Sequence, residues 1–119
     1  MTLQGLGGTM RQSVTVHYTR AGTARRSGRG LAMEIGGASF FITPEELPAL
    51  LGDRSAEVVN QLGEKEGTAW LSPLASVQKQ DLTALIRESL YVLTVRDFRR
   101  IISGSIPRAP VREFHRPAR

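Results

Sequence analysis

A shift of 51 positions brings the 119-residue sequence into partial register with itself, and this internal similarity restricts the fold more than any other feature. The shift places Leu31 on Leu82, Ile35 on Ile86 and Thr43 on Thr94. It also pairs Phe40 with Tyr91, Phe41 with Val92, Ile42 with Leu93 and Glu46 with Asp97. Leu47, Leu50 and Leu51 fall on Phe98, Ile101 and Ile102. Identities are few, and the signal lies in the ordered agreement of apolar positions. Segments 13–62 and 67–115 therefore read as two copies of one unit inside a single domain, 1–119, with flexible ends at 1–11 and 116–119.

Each copy carries the same local signals. Leu31, Met33 and Ile35 alternate, Gly36-Gly37 suits a two-residue hairpin turn, and Ala38 to Ile42 returns as a second strand. Leu82, Ala84 and Ile86 alternate likewise, Arg87-Glu88 turns, and Leu90 to Leu93 returns. An earlier strand precedes each hairpin, over Val14 to Arg20 and Gly67 to Leu71. Thr43-Pro44-Glu45-Glu46 has the composition of a helix start, with Pro48 shortening or distorting the helix it opens. The second helix is better defined: Thr94 caps it, Phe98, Ile101 and Ile102 form its apolar stripe, and Gly104 ends it. Extended segments come after the helices, near Glu57 to Asn60 and Pro110 to Phe114, although 54–62 suits a helix as well. The expected fold is α+β: two tandem βββα units forming one domain, with antiparallel sheets packed by short helices.

Composition removes several classes of chemistry. With no cysteine there is no disulfide, thiolate metal site or cysteine nucleophile, so neither a metal nor another cofactor is expected. His17 has no recognisable carboxylate or serine partner, and His115 sits in a tail of Arg and Pro. Glu64 and Glu66 flank Lys65 in a Gly-bounded turn that reads as a solvated loop. Catalysis is not expected. Met1 to Met10 lacks the basic and apolar regions of a signal peptide, and Ile35 to Ile42 is far short of the roughly 18 residues needed to span a bilayer. A cytoplasmic protein with no membrane partner is the expectation.

The net charge of +5 is unevenly distributed. Residues 1–30 hold five arginines and no acid, residues 31–95 hold four basic and nine acidic groups, and residues 96–119 hold seven arginines against two acids. Two basic ends around an acidic middle can form an anion-binding face, or can drive head-to-tail self-association into a homo-oligomer. The preference for arginine over lysine also follows from genome composition alone. Within the first basic end, the segment Ala21 to Gly30 reads as a projecting loop, with Arg25, Arg26 and Arg29 set among glycines. Guanidinium forks pair with phosphate oxygens, and glycine lets backbone approach them. In the second, Arg96, Arg99 and Arg100 lie opposite the apolar stripe of the helix. Aromatics beside arginines can stack bases, although core packing claims most of them.

The run Arg25-Arg26-Ser27-Gly28-Arg29-Gly30-Leu31 into a strand, with Phe41-Ile42-Thr43-Pro44-Glu45-Glu46 opening a helix, resembles single-stranded nucleic-acid binders of the Whirly and PUR type. The likeness covers residues 13–51 and, more loosely, 67–104. It implies that the basic turn and curved sheet hold single strands, with Arg25, Arg26 and Arg29 on phosphates and Tyr18 as a stacking group. The second half departs from it, because Ser72 to Gln80 offers only Lys79 in place of a basic glycine turn. The expectation is a small, non-catalytic protein that binds single-stranded DNA or RNA with low sequence specificity. Its contacts would be Tyr18, Arg20, Arg25, Arg26, Arg29, Arg96, Arg99 and Arg100. A self-associating assembly module is the alternative, and a regulatory domain for a small anion a third.

Overall fold

The computed structural model describes residues 17–52, 54–73 and 80–115. Over these residues the chain runs β1 (His17–Ser27), β2 (Gly30–Ile35), β3 (Ala38–Ile42), α1 (Leu47–Leu51) and β4 (Ala56–Val59). It continues through β5 (Lys65–Pro73), β6 (Gln80–Ile86), β7 (Ser89–Thr94), α2 (Val95–Ser103) and β8 (Arg108–His115). Each strand pairs antiparallel with the next and β8 pairs with β1, closing a barrel of eight strands. This overturns the expected α+β arrangement. The molecule is mostly sheet, and the segments after each helix are full barrel strands rather than appendages to βββα units. Closure leaves no free sheet edge, although the β3–β4 seam is held by the single pair of Phe41 with Val59.

Alternation decides which side chains fill the barrel. Leu31, Met33 and Ile35 on β2, and Leu82, Ala84 and Ile86 on β6, point inward and are buried in one continuous core. Phe40 joins them at 4 % exposure, whereas its neighbour Phe41 faces outward and is half-buried. Because strand directions alternate, the β1–β2 turn and both helices lie at one end of the barrel. The Gly36-Gly37, 60–64 and Arg87-Glu88 turns lie at the other.

A helix of five residues is far below the length that is stable alone in water. α1 persists because Leu47 and Leu50 are buried, as Phe98 and Ile101 are in α2. Its first helical residue is Leu47, later than the Thr43-Pro44 start predicts, because Thr43 and Pro44 form a turn in which the Thr43 carbonyl accepts from Glu46 and Leu47. Pro48 then falls in the first turn, where its missing N–H costs nothing. α2 follows its sequence signals: Thr94 Oγ1 accepts from the Asp97 N–H at 3.1 Å, and Gly104 adopts φ 83° to end it.

The 51-residue shift relates elements as well as residues, carrying β2, β3 and α1 onto β6, β7 and α2. The first strands correspond at a different offset: Gly22-Thr23-Ala24 and Ser27 of β1 match Gly67-Thr68-Ala69 and Ser72 of β5. Both glycines sit beside a β-bulge, at Ala21 opposite β8 and at Glu66 opposite β4. A Cβ at Gly22 would overlap the carbonyl oxygen of Glu34, and one at Gly67 the carbonyl oxygen of Leu85. The two strands therefore turn the barrel's corners at positions where only glycine fits. Small residues also meet across the two joints between halves, Ala24 opposite Ala109 and Ala69 opposite Ala56.

Several expectations about loops are corrected by these bulged strands. Ala21 to Ser27 is strand, and only Gly28-Arg29 is turn. Segment 54–62 resolves into β4 and the turn after it, not a helix. Lys65 and Glu66 open β5, and Glu66 is one-fifth exposed instead of lying in a solvated loop. His115 ends β8, with Nε2 2.7 Å from Thr19 Oγ1, so it belongs to the barrel and not to a tail. The proposed flexible ends, 1–11 and 116–119, and Lys79 lie outside the described residues.

Candidate functional site

The two arginine-rich ends of the chain become neighbours where β1 pairs with β8. Directly opposite residues in this ladder include Tyr18 and Phe114, Arg20 and Arg112, Thr23 and Pro110, and Arg25 and Arg108. Ala24, Ala109 and Val111 are buried, so the intervening positions all project outward. One exposed two-stranded face therefore presents four arginines and two aromatic rings. Opposed like charges on adjacent strands destabilise a sheet, and this ladder holds two such pairs.

Arg25 is partly neutralised by Glu34, whose Oε2 lies 3.4 Å from its Nη2 and also accepts from Ser39 Oγ at 3.1 Å. Arg20 donates to Thr23 Oγ1 at 3.2 Å, which turns its guanidinium along the strand. Among the described residues, Arg20, Arg108 and Arg112 have no carboxylate at ion-pair distance. Tyr18 is 44 % exposed, and its ring meets Phe114 edge-on with centroids 5.7 Å apart. That contact braces the tyrosine ring, while the residue stays exposed to solvent.

The barrel supplies its own comparison for this face. The joint between β4 and β5 is the counterpart of that between β8 and β1, with the same bulge and the same glycine. There, Val59 opposes Lys65 where Arg112 opposes Arg20, and Glu57 opposes Thr68 where Pro110 opposes Thr23. The same backbone thus closes without paired arginines. Fold requirements do not account for the arginines of the β1–β8 joint.

The other sequence-predicted residues are dispersed. Arg26 reaches across the helix-bearing end to donate to the Ile102 carbonyl at 3.3 Å, tying β1 to the last turn of α2. Arg29 is exposed in the β1–β2 turn, and Arg96, Arg99 and Arg100 are exposed on α2. Of the predicted set, the ladder brings together Tyr18, Arg20 and Arg25 with the aromatic Phe114, and adds Arg108 and Arg112, which sequence reasoning missed. Their signal was the alternation Arg108-x-Pro110-x-Arg112-x-Phe114, legible only once β8 has a partner.

Beside Tyr18 the wall is recessed by a cavity of about 170 Å³, bordered by Val92, Pro110 and Arg112 and by the carboxyl-bearing Asp81 and Asp97. A second groove of about 360 Å³ follows the seam between β3 and β4, where Phe41 and Val59 are the only ladder pair. Among the described residues no cluster of histidine and carboxylate side chains has the arrangement of a metal site, and no helix is long and apolar enough to cross a membrane. No protein-family model, curated protein or solved structure matches this chain.

Proposed function

We propose that the protein binds single-stranded nucleic acid along the outer face of the β1–β8 joint. The observation that carries this reading is the pair of directly opposed arginines, Arg20 with Arg112 and Arg25 with Arg108, beside the braced ring of Tyr18. Phosphates relieve the mutual repulsion of such pairs, and guanidinium forks match their oxygens. An exposed aromatic face adds a platform for an unpaired base, worth about 1–3 kcal/mol per base by stacking. A duplex offers phosphates but keeps its bases stacked on one another, so the combination favours single strands. The site differs from the basic turn implied by the Whirly and PUR resemblance, since Arg25 belongs to the strand ladder and Arg26 donates to the Ile102 carbonyl of α2, which leaves Arg29 alone in that turn. The role is binding, with specificity low where contacts are to phosphate.

Fluorescence anisotropy with labelled single- and double-stranded oligonucleotides at low and physiological salt tests the reading. Single strands bind more tightly, and charge reversal in Arg20→Glu with Arg112→Glu abolishes binding while the circular dichroism of the barrel is kept. Undiminished binding by that variant sinks the proposal. One observation favours self-association instead: Glu45, Glu46 and Glu57 gather near the start of β4, where the Glu57 N–H donates to Glu46 Oε1 at 2.8 Å. In a closed eight-stranded order this region lies across the barrel from the arginine joint. Light scattering that finds a salt-dissociated oligomer, together with no oligonucleotide binding, replaces the nucleic-acid reading with that one.

A further inference from the structure

We infer that the recess beside Tyr18 is a base subsite that prefers guanine and disfavours thymine or uracil. This inference rests on the single-strand reading and gives it a selective element. The recess is lined by groups that suit a base more than a phosphate. Val92 and Pro110 supply apolar wall, Tyr18 an aromatic face, and Arg112 a guanidinium at the rim. Asp81 and Asp97 add negative charge, which repels phosphate, and the Asp97 carboxylate can accept hydrogen bonds from a base edge.

Asp97 carries the selectivity. Its backbone N–H is committed to Thr94 Oγ1, but its carboxylate has no hydrogen bond or ion pair among the described residues. The rigid start of α2 holds it at the recess. A carboxylate only accepts, through two oxygens side by side. Guanine presents two adjacent donors, N1–H and the N2 amino group, and can satisfy both oxygens at once. Cytosine and adenine offer an amino group next to a ring acceptor, which a carboxylate meets with one bond. Thymine and uracil flank their single N–H with two carbonyl oxygens, so a carboxylate is repelled on both sides.

A labelled oligothymidylate is displaced by unlabelled oligothymidylates of equal length, all-dT or with one central dG or deoxyinosine. The dG oligonucleotide competes about fivefold or more better than all-dT, the lower end of what a bidentate base contact contributes. Deoxyinosine, which keeps N1–H and lacks the amino group, falls between them. Asp97→Asn removes the preference without weakening binding of all-dT. Equal competition by dG and all-dT in the unsubstituted protein overturns the inference and leaves the single-strand reading standing, as does a preference that survives Asp97→Asn. Absence of binding to every oligonucleotide at low salt overturns both.

Discussion

Arg20 and Arg112 face each other across two strands with no acid at ion-pair distance among the described residues, and a sheet has no structural reason to keep them so. Directly opposed like charges destabilise by roughly 0.2–1 kcal/mol. Arg112→Thr is therefore expected to raise the urea midpoint slightly while lowering affinity for a single-stranded oligonucleotide about tenfold or more, a charge-assisted phosphate contact contributing roughly 1.5–3 kcal/mol. A variant that loses stability and keeps its affinity would contradict the assignment. Glu66 gives a structural counterpart at the related β4–β5 joint. The Asn60 side-chain amide, donating at 2.8 Å, holds its carboxyl below the usual 4.5, and Arg87 assists at 3.2 Å against the opposing effect of partial burial. A carboxylate depressed in the folded state contributes stability that is full above its unfolded value and is lost as pH falls through the folded one. The melting temperature of Glu66→Gln should thus lie below that of the unsubstituted protein at pH 7, with the gap closing as pH falls below about 4. A gap that does not shrink at all as pH is lowered would count against a role for the ionised carboxyl.

At the scale of elements, the closing strands β1 and β5 are shaped by their bulges and glycines. Gly67→Ala pushes a methyl group into the Leu85 carbonyl, and Gly22→Ala does the same to Glu34. Each is expected to cost about 1–3 kcal/mol or more, as overpacking does, measured by urea denaturation. A neutral effect at both would show that the corners relax freely. These elements also mark where sequence reading stopped. The β2–β3 and β6–β7 hairpins and α2 were legible because their signals are local: alternation, Gly36-Gly37, and Thr94, Asp97 and Gly104 at fixed spacings. The stretch Ala21 to Ser27 looked like a loop because glycine, arginine and serine usually solvate, and only Ala24 marks its inner face. The match of Gly22-Thr23-Ala24 with Gly67-Thr68-Ala69 was hidden by its offset of 45 instead of 51. The site needed the most distant information of all, since the Thr19–His115 contact in its ladder joins residues 96 apart.

The whole molecule turns an uneven charge sequence into a sided surface. Closing the barrel through β1 and β8 brings two arginines from each basic end onto one joint, while the related β4–β5 joint carries Glu57, Val59 and Lys65 at the corresponding positions. One backbone thus offers two similar platforms with different chemistry, and only one suits an anionic polymer. The salt dependence of oligonucleotide binding measures this most directly. Three arginines without ion-pair partners neutralising three phosphates give a slope of log K against log salt of about −2. Removing two of them in Arg20→Ala with Arg112→Ala should reduce the slope to about −0.7, whereas Arg96→Ala with Arg99→Ala on α2 leaves it at about −2. An unchanged slope in the β1–β8 variant, or a reduced one in the α2 variant, would place the phosphate contacts elsewhere and contradict the account.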